Sequence, residues 1–498
     1  MPSNTGISIA QRQLFIGFAT LMGLSLVGAL LSEQWLFLAV PPALMVGYIS
    51  VIDFSKIYYL ILAFIPLSYE LDLPGGFATD LPTEGLIVGL MLVYLLFAIG
   101  NLKSFDGRFI KHPLILLLLM HLGWMLITVI NSKLFFLSLK FFAAKLWYVV
   151  VFVFVTAYIF KSERVFRTMF WLITPPFTVA LLWALFQQYQ DGFAFTEVNY
   201  AMWPFFRNHV TYGAMTAMYF PFLVLAATWY PKWKHKLILI GIMLVFLAAI
   251  YFSYTRAAYI SLVASLLFYG VVRLRLTRVA LLLAVAGLIG VVGYLLTNNQ
   301  YLEFAPDYNK AISHEQFDDL VTATYQLEDI SSMERVYRWV AAGFMSKEEP
   351  VFGYGPGNFY NYYKGYTVSS FTTYVSRNED QSGIHNYYLM TMVDQGYFGL
   401  FIYLILVLAI LWYGDQIYHK TANPERRALV MAILSVLFIF NLLQLINDLM
   451  ETDKFGSFFF ICLAMLVRID LMNQSEQQEL RDQAQGLGNP EGISTEKE

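Results

Sequence analysis

The chain has 498 residues, of which 58% are hydrophobic and only 13% charged, with a formal net charge of −3. Soluble domains carry about a quarter charged residues, so this balance excludes an ordinary water-soluble globule, and the scattered basic residues give no sign of nucleic-acid binding. The one cysteine, Cys462, excludes an internal disulfide and a thiolate metal cluster.

The apolar residues come in runs of about 17–25, the length of a helix that crosses a hydrocarbon core of about 30 Å. They do not alternate with polar residues as the strands of a membrane barrel do. The fold class read from this pattern is an all-α polytopic membrane protein. In chain order the candidate spans are 14–31, 35–52, 57–69, 84–99, 113–130, 143–160, 168–189, 211–229, 237–253, 257–273, 279–296, 386–412, 428–447 and 455–472. The first is weakly basic at its front and lacks a small-residue cleavage site, so it reads as a retained span. The third is short, and two others almost join across Ser253–Ala257, so the count is twelve to fourteen.

Basic residues orient the helices. With the N-terminus inside, the inner connectors carry Lys103, Arg108 and Lys111; Lys161, Arg164 and Arg167; Lys232, Lys234 and Lys236; Arg273, Arg275 and Arg278; and Lys420, Arg426 and Arg427. The outer connectors are poor in Lys and Arg. The expected organisation is membrane helices over 1–296, an extracytoplasmic loop over 297–384, membrane helices over 385–472, and a Gln/Glu-rich tail over 473–498, expected to be disordered and cytoplasmic.

A loop of this length is usually functional or disordered. Its second half carries signals of order. Residues 331–346, SSMERVYRWVAAGFMS, read as an amphipathic helix with Met333, Val336, Val340 and Phe344 on one face, Arg335 and Arg338 together on another, and Ser331 or Ser332 as a cap. PVFGYGPGNF (350–359) reads as a tight irregular turn. Ten of the chain's 33 tyrosines lie in the loop. Such a surface suits sugars, and equally suits a small packed cap on the membrane domain.

The loop ends at His385, followed by HNYYLMTMVDQGYFG (385–399). His385 stands at the N-terminus of a membrane helix, where the helix dipole disfavours the imidazolium, and a neutral imidazole is what a general base needs. A hydrogen-bonded surface histidine would look the same. Gly396 and Gly399, three apart on one helix, would form a small-residue packing patch. Arg256 and Arg207 precede spans on the outer side, and Arg335 and Arg338 belong to the loop. Guanidinium groups there suit phosphate oxygens, or snorkel to headgroups. His209 is a second outer histidine. Asn441, Gln444, Asp448 and Glu451 read as one polar stripe on a span. Asp394 reads as a structural hydrogen-bond partner, while Lys140 and Lys145 read as snorkelling. The outer histidines His209, His314 and His385 are scattered and no Asp-x-Asp motif occurs, so no metal site and no cofactor are expected.

His385-Asn386, nine residues, then Gly396-x-x-Gly399 resembles the signature of the O-antigen ligase and polymerase superfamily. RVYRW with PVFGYGPGNF, and SYTRAA (253–258), are similar to two further elements of that family, in the same order. The resemblance spans about 253–399. It implies a bacterial inner-membrane glycosyltransferase acting on the periplasmic side in lipopolysaccharide or polysaccharide biosynthesis. Its donor would be a glycan on undecaprenyl diphosphate, and its acceptor a hydroxyl of lipid A–core, of another glycan or of a protein. Transfer would be inverting and metal-independent. His385 would be the base; Arg256, Arg335, Arg338 and Arg207 would hold the diphosphate. A lipid-linked glycan flippase and a membrane scaffold whose loop binds a partner are the alternatives from other classes.

Overall fold

The computed structural model describes residues 9–33, 37, 40–73, 77–101, 106–304, 330–368 and 383–486. In chain order the main elements are α1 (Ile9–Ser32), α2 (Val40–Ile52), α3 (Phe54–Phe64), the strands β1 (Tyr69–Leu73) and β2 (Phe77–Leu81), α4 (Thr83–Gly100), α5 (Pro113–Ile130) and α6 (Phe135–Ile159), wound as a π-helix over Val150–Val155. Then come α7 (Glu163–Gln190), α8 (His209–Ala226), α9 (Trp233–Phe252), α10 (Arg256–Arg273) and α11 (Thr277–Leu296). The loop supplies α12 (Ile330–Glu348), and the chain returns through α13 (Tyr387–Lys420), α14 (Pro424–Leu443) and α15 (Asp453–Gly486).

The protein is an all-α polytopic membrane protein. Twelve helices among the described residues are long and apolar enough to cross a membrane. The two other expected spans are the shorter apolar helices α2 and α3. Helices α8, α14 and α15 form the centre, joined by aromatic stacking such as Phe440 against Phe455 and Phe459. Lipid offers no hydrophobic contrast, so close packing supplies the attraction between helices. By contrast, none of α11's membrane stretch is buried, and it is apolar all round, as a lipid-facing helix can be.

Several local expectations change. The acidic connector after α3 is a hairpin, with Tyr69 paired to Leu81 and Leu73 to Phe77. Ser68 and Thr83, at its two ends, both donate to Asp453 Oδ2 at 2.7 Å, which ties the hairpin to the start of α15. Helix α14 stops at Leu443, so Asn441, Gln444, Asp448 and Glu451 do not form one helical stripe; the last three lie on the turn leading to α15. At the other end of α15 the helix continues through 473–486, where no ordered structure was expected. Arg426 Nη1 donates to Asn473 Oδ1 at 2.9 Å and Nη2 to Glu476 Oε1 at 2.7 Å, holding the first turns of that extension.

The amphipathic loop helix is present, and it already includes Ile330, so Ser331 and Ser332 fall inside it. Its buried face is Glu334, Tyr337, Ala341, Ala342 and Met345, while Phe344 is 36% exposed. The face is rotated by about one residue because it packs on a second core made by Tyr354, Phe359, Tyr363, Ile384 and Val393, which the helix's own periodicity does not reveal.

The largest departure is in α13. Gly396 has φ +70° and ψ −178°, so the helix breaks there, and Gly396 and Gly399 do not sit on one continuous face. A break in an apolar region leaves carbonyls without helical partners, which is tolerated only where protein satisfies them. The loop 350–357 does so. Tyr354 N–H donates to the Val393 carbonyl at 2.8 Å, Gly355 N–H to Asp394 at 3.0 Å, and Trp124 Nε1–H to Gln395 at 2.8 Å. Tyr397 N–H returns a bond to the Pro350 carbonyl at 2.9 Å, and Gly357 N–H reaches Asp394 Oδ2 at 3.3 Å, the structural role expected of that carboxylate. The close approach requires glycine: Gly353 has φ +66°, and a Cβ on it would run into the Val393 carbonyl.

Gly353→Ala should therefore lower stability by roughly 1–3 kcal/mol through backbone strain and the lost docking. Gly365→Ala, where nothing lies within 4 Å of the added carbon, should be close to neutral. Thermal melting of the two purified variants checks this; equal melting points would show that the loop does not need its glycine.

Candidate functional site

His385 lies between the cap and the membrane domain, on a segment held from several directions. The Ile384 carbonyl accepts from Trp339 Nε1 on α12 at 3.1 Å. Asn386 caps α13, its Oδ1 accepting from Leu389 N–H at 3.0 Å, while its Nδ2 donates to the Leu445 carbonyl at 2.8 Å. Tyr387 N–H donates to the Gln444 carbonyl at 2.9 Å. This double use explains the residue after the histidine: it starts the helix and fastens it to the turn after α14. His385 itself has φ +55°, a strained conformation for a side chain of its size, of the kind that the surroundings must impose.

Charged groups of both signs surround the imidazole. Asp448 Oδ1 lies 3.8 Å from Nδ1, too far for a hydrogen bond but within ion-pair range. On α12, Glu334 and Arg338 form an i, i+4 pair at 3.4 Å, with Arg338 Nε buried and without a hydrogen-bond partner. Burial pushes the His385 imidazole below its ordinary range; Arg335 and Arg338 push the same way, while Asp448 and Glu334 oppose them. The net result favours the neutral ring.

Arg256 is placed by a tight turn. Helices α9 and α10 are separate, with Tyr254 between them at φ +50°. His209 Nδ1–H donates to the Ser253 carbonyl at 2.9 Å, and Thr255 Oγ1 donates to the His209 carbonyl at 3.0 Å. Gly213 permits the approach, since a Cβ there would stand 2.7 Å from Ser253 Oγ. The His209 ring feels the charges of both Arg256 and Arg335, and the His385 ring feels Arg335 and Arg338. Arg335 is thus a charge that acts on both rings. Arg207 is placed differently: its side chain is 73% exposed and pairs with Glu70 of β1 at 3.7 Å. His314 lies outside the described residues.

Beneath His385 is a buried polar group that helix-end reasoning misassigned. Lys145 does not snorkel; its side chain is 4% exposed, and Nζ donates to Glu451 Oε1 at 2.7 Å and to Tyr387 Oη at 3.1 Å. Its partners are some 240 and 300 positions away in sequence, so no local pattern could reveal them. Asp448, read as one member of a stripe, is also a neighbour of His385 for tertiary reasons alone. Among the described residues, no group of three or more His, Cys, Asp or Glu side chains is arranged to hold a metal ion.

His385, strained and under the cap, thus stands beside Asp448 at the mouth of a multi-pass helical bundle. The O-antigen ligase family model matches residues 241–404, from within α9 to the first half of α13, and so includes Arg256, Arg335, Arg338 and His385. The match covers this stretch of the chain and supports a membrane glycosyltransferase of the ligase and polymerase type. No curated protein matches the chain.

The charge balance at His385 can be read from its reactivity toward diethyl pyrocarbonate, which attacks the neutral ring. Asp448→Asn removes a charge that stabilises the imidazolium, so the pH midpoint of modification should fall. Arg335→Gln removes an opposing charge, so the midpoint should rise. Midpoints that stay put in both variants would show that these groups do not govern the ring.

Proposed function

We propose that the protein is a ligase-type glycosyltransferase that moves a glycan from an undecaprenyl-diphosphate carrier to an acceptor hydroxyl, at the periplasmic face of a bacterial inner membrane. The observation that carries this reading is His385, strained, 3.8 Å from Asp448 and leaning neutral through burial, with Arg335 and Arg338 of the cap acting on its ring, within the segment matched by the family.

His385 would act as the base. With Nδ1–H turned toward Asp448, the lone pair lies on Nε2, which would take the acceptor's proton as its oxygen attacks C1 of the donor sugar. Attack from the face opposite the leaving group inverts C1. The C1–O bond to the phosphate then breaks, and its electron pair passes to the diphosphate. Arg256, Arg335 and Arg338 would neutralise that growing charge in the role a metal cation plays in other diphosphate chemistry, making transfer metal-independent. Arg207, paired with Glu70 at the rim, is better suited to attracting the anion than to gripping it. Confinement of both substrates at the membrane surface supplies much of the rate. The acceptor would be a hydroxyl of lipid A–core, of another glycan or of a protein.

Wild type and His385→Ala should be expressed at matched levels in a host supplying a lipid-linked glycan and these acceptors. The variant is expected to lose at least about 100-fold in transfer, the usual contribution of a positioned base. Full activity would remove His385 as the base. A single glycan addition identifies a ligase, and a ladder of lengths a polymerase.

A further inference from the structure

The first segment of α13, residues 387–395, ends at the Gly396 break, and a cavity of about 10 Å³ lies against that end, room for one particle the size of a water. Its polar side chains are Tyr387, Thr391, Asp394, Gln395 and Glu451. Asp394 is 4% exposed. Its Oδ2 accepts from Gly357 N–H at 3.3 Å, while Oδ1 is buried without a hydrogen-bond partner. Glu451 is divided in the same way: Oε1 accepts from Lys145 Nζ at 2.7 Å, and Oε2 is buried without a partner. Among the described residues, Lys145 is the one basic group paired with either carboxylate.

Charge decides what fits such a cavity. Lys145 offsets Glu451, which leaves one negative charge on Asp394 to balance. The helix segment adds to it, because its C-terminal end carries the negative end of the helix dipole. A water could donate to both free oxygens but would leave that charge buried and unpaired, at a large cost. A divalent ion would reverse the sign of the site, and calcium asks for six or more oxygen ligands. A monovalent cation with a preference for oxygen balances the charge, and the ends of broken membrane helices are suited to holding one.

We propose that the cavity lined by Asp394 and Glu451 is a sodium site, in which one Na⁺ is held by Asp394 Oδ1 and Glu451 Oε2, with neutral oxygens from Gln395, Thr391 and Tyr387. The ion is structural and takes no part in glycan transfer, so the site does not rest on the reading above. Its effect follows from what the two carboxylates already hold. Asp394 fastens the cap loop through Gly357, and Glu451 lies on the turn that carries Asp448 to His385. One ion between them joins the docked loop, the break in α13 and that turn.

The test is binding of radioactive sodium to the purified full-length protein in nanodiscs, with choline chloride holding the ionic strength constant. Wild type should show a single saturable site, from which unlabelled sodium displaces the tracer and calcium at the same concentration does not. It should also melt about 2–3 °C higher in about 150 mM sodium chloride than in choline chloride. Asp394→Asn keeps an acceptor for Gly357 and removes the charge; Glu451→Gln keeps an acceptor for Lys145. Each should weaken sodium binding at least about tenfold and abolish the melting difference. Melting in choline reports whether each variant folds, and either one that folds suffices. Glu425→Gln, whose carboxylate pairs with Arg167 away from the cavity, should bind sodium as wild type does. No saturable binding to wild type, displacement by calcium as effective as by sodium, or binding that survives the loss of either cavity carboxylate would overturn the proposal.

Discussion

The break in α13 at Gly396 is the constraint on which the rest depends. Once the helix opens there, the carbonyls of Val393, Asp394 and Gln395 need donors in surroundings that offer little water. Tyr354, Gly355 and Trp124 supply them. The loop is thereby sewn into the membrane domain rather than resting on it. Tyr354, Phe359 and Tyr363 then form a small apolar core, and α12 lies on that core with Arg335 and Arg338 beside His385. Glycines 353, 355 and 357 all have positive φ; a Cβ would strike the opened helix at Gly353, Ser132 at Gly355 and the Phe141 ring at Gly357.

The second organising feature is electrostatic. His385 is partly buried and flanked by two arginines and two carboxylates, so its charge state reflects several elements at once: α12, the turn after α14 and its own helix start. The Lys145–Glu451–Tyr387 group lies one layer deeper and satisfies most of its own charge. The buried ion pair anchors the turn that carries Asp448 to α6. The same turn accepts the Tyr387 N–H through Gln444, so the start of α13, His385 and Asp448 are placed by one short stretch of chain.

Much of this was legible in the residues. Apolar run lengths alone led to the polytopic helical fold, and the spacing of His385, Gly396 and Gly399 led to the family. Other inferences failed for a common reason. The helix drawn through Gly396 assumed that continuity in sequence means continuity in backbone. The polar stripe from Asn441 to Glu451 assumed that α14 continued past Leu443. The apolar face of α12 was set one residue away from the observed one, since a short helix carries several plausible stripes and its packing partner selects among them.

The sequence by itself determined which stretches are long and apolar enough to cross a membrane, because transfer of apolar side chains from water is a local, additive property. The tertiary structure alone decided that Lys145 pairs with Glu451, that Asp448 stands beside His385, and that Arg335 bridges the fields of two histidines. Those contacts join residues tens to hundreds of positions apart, and their energies depend on distance and burial, which no spacing along the chain encodes.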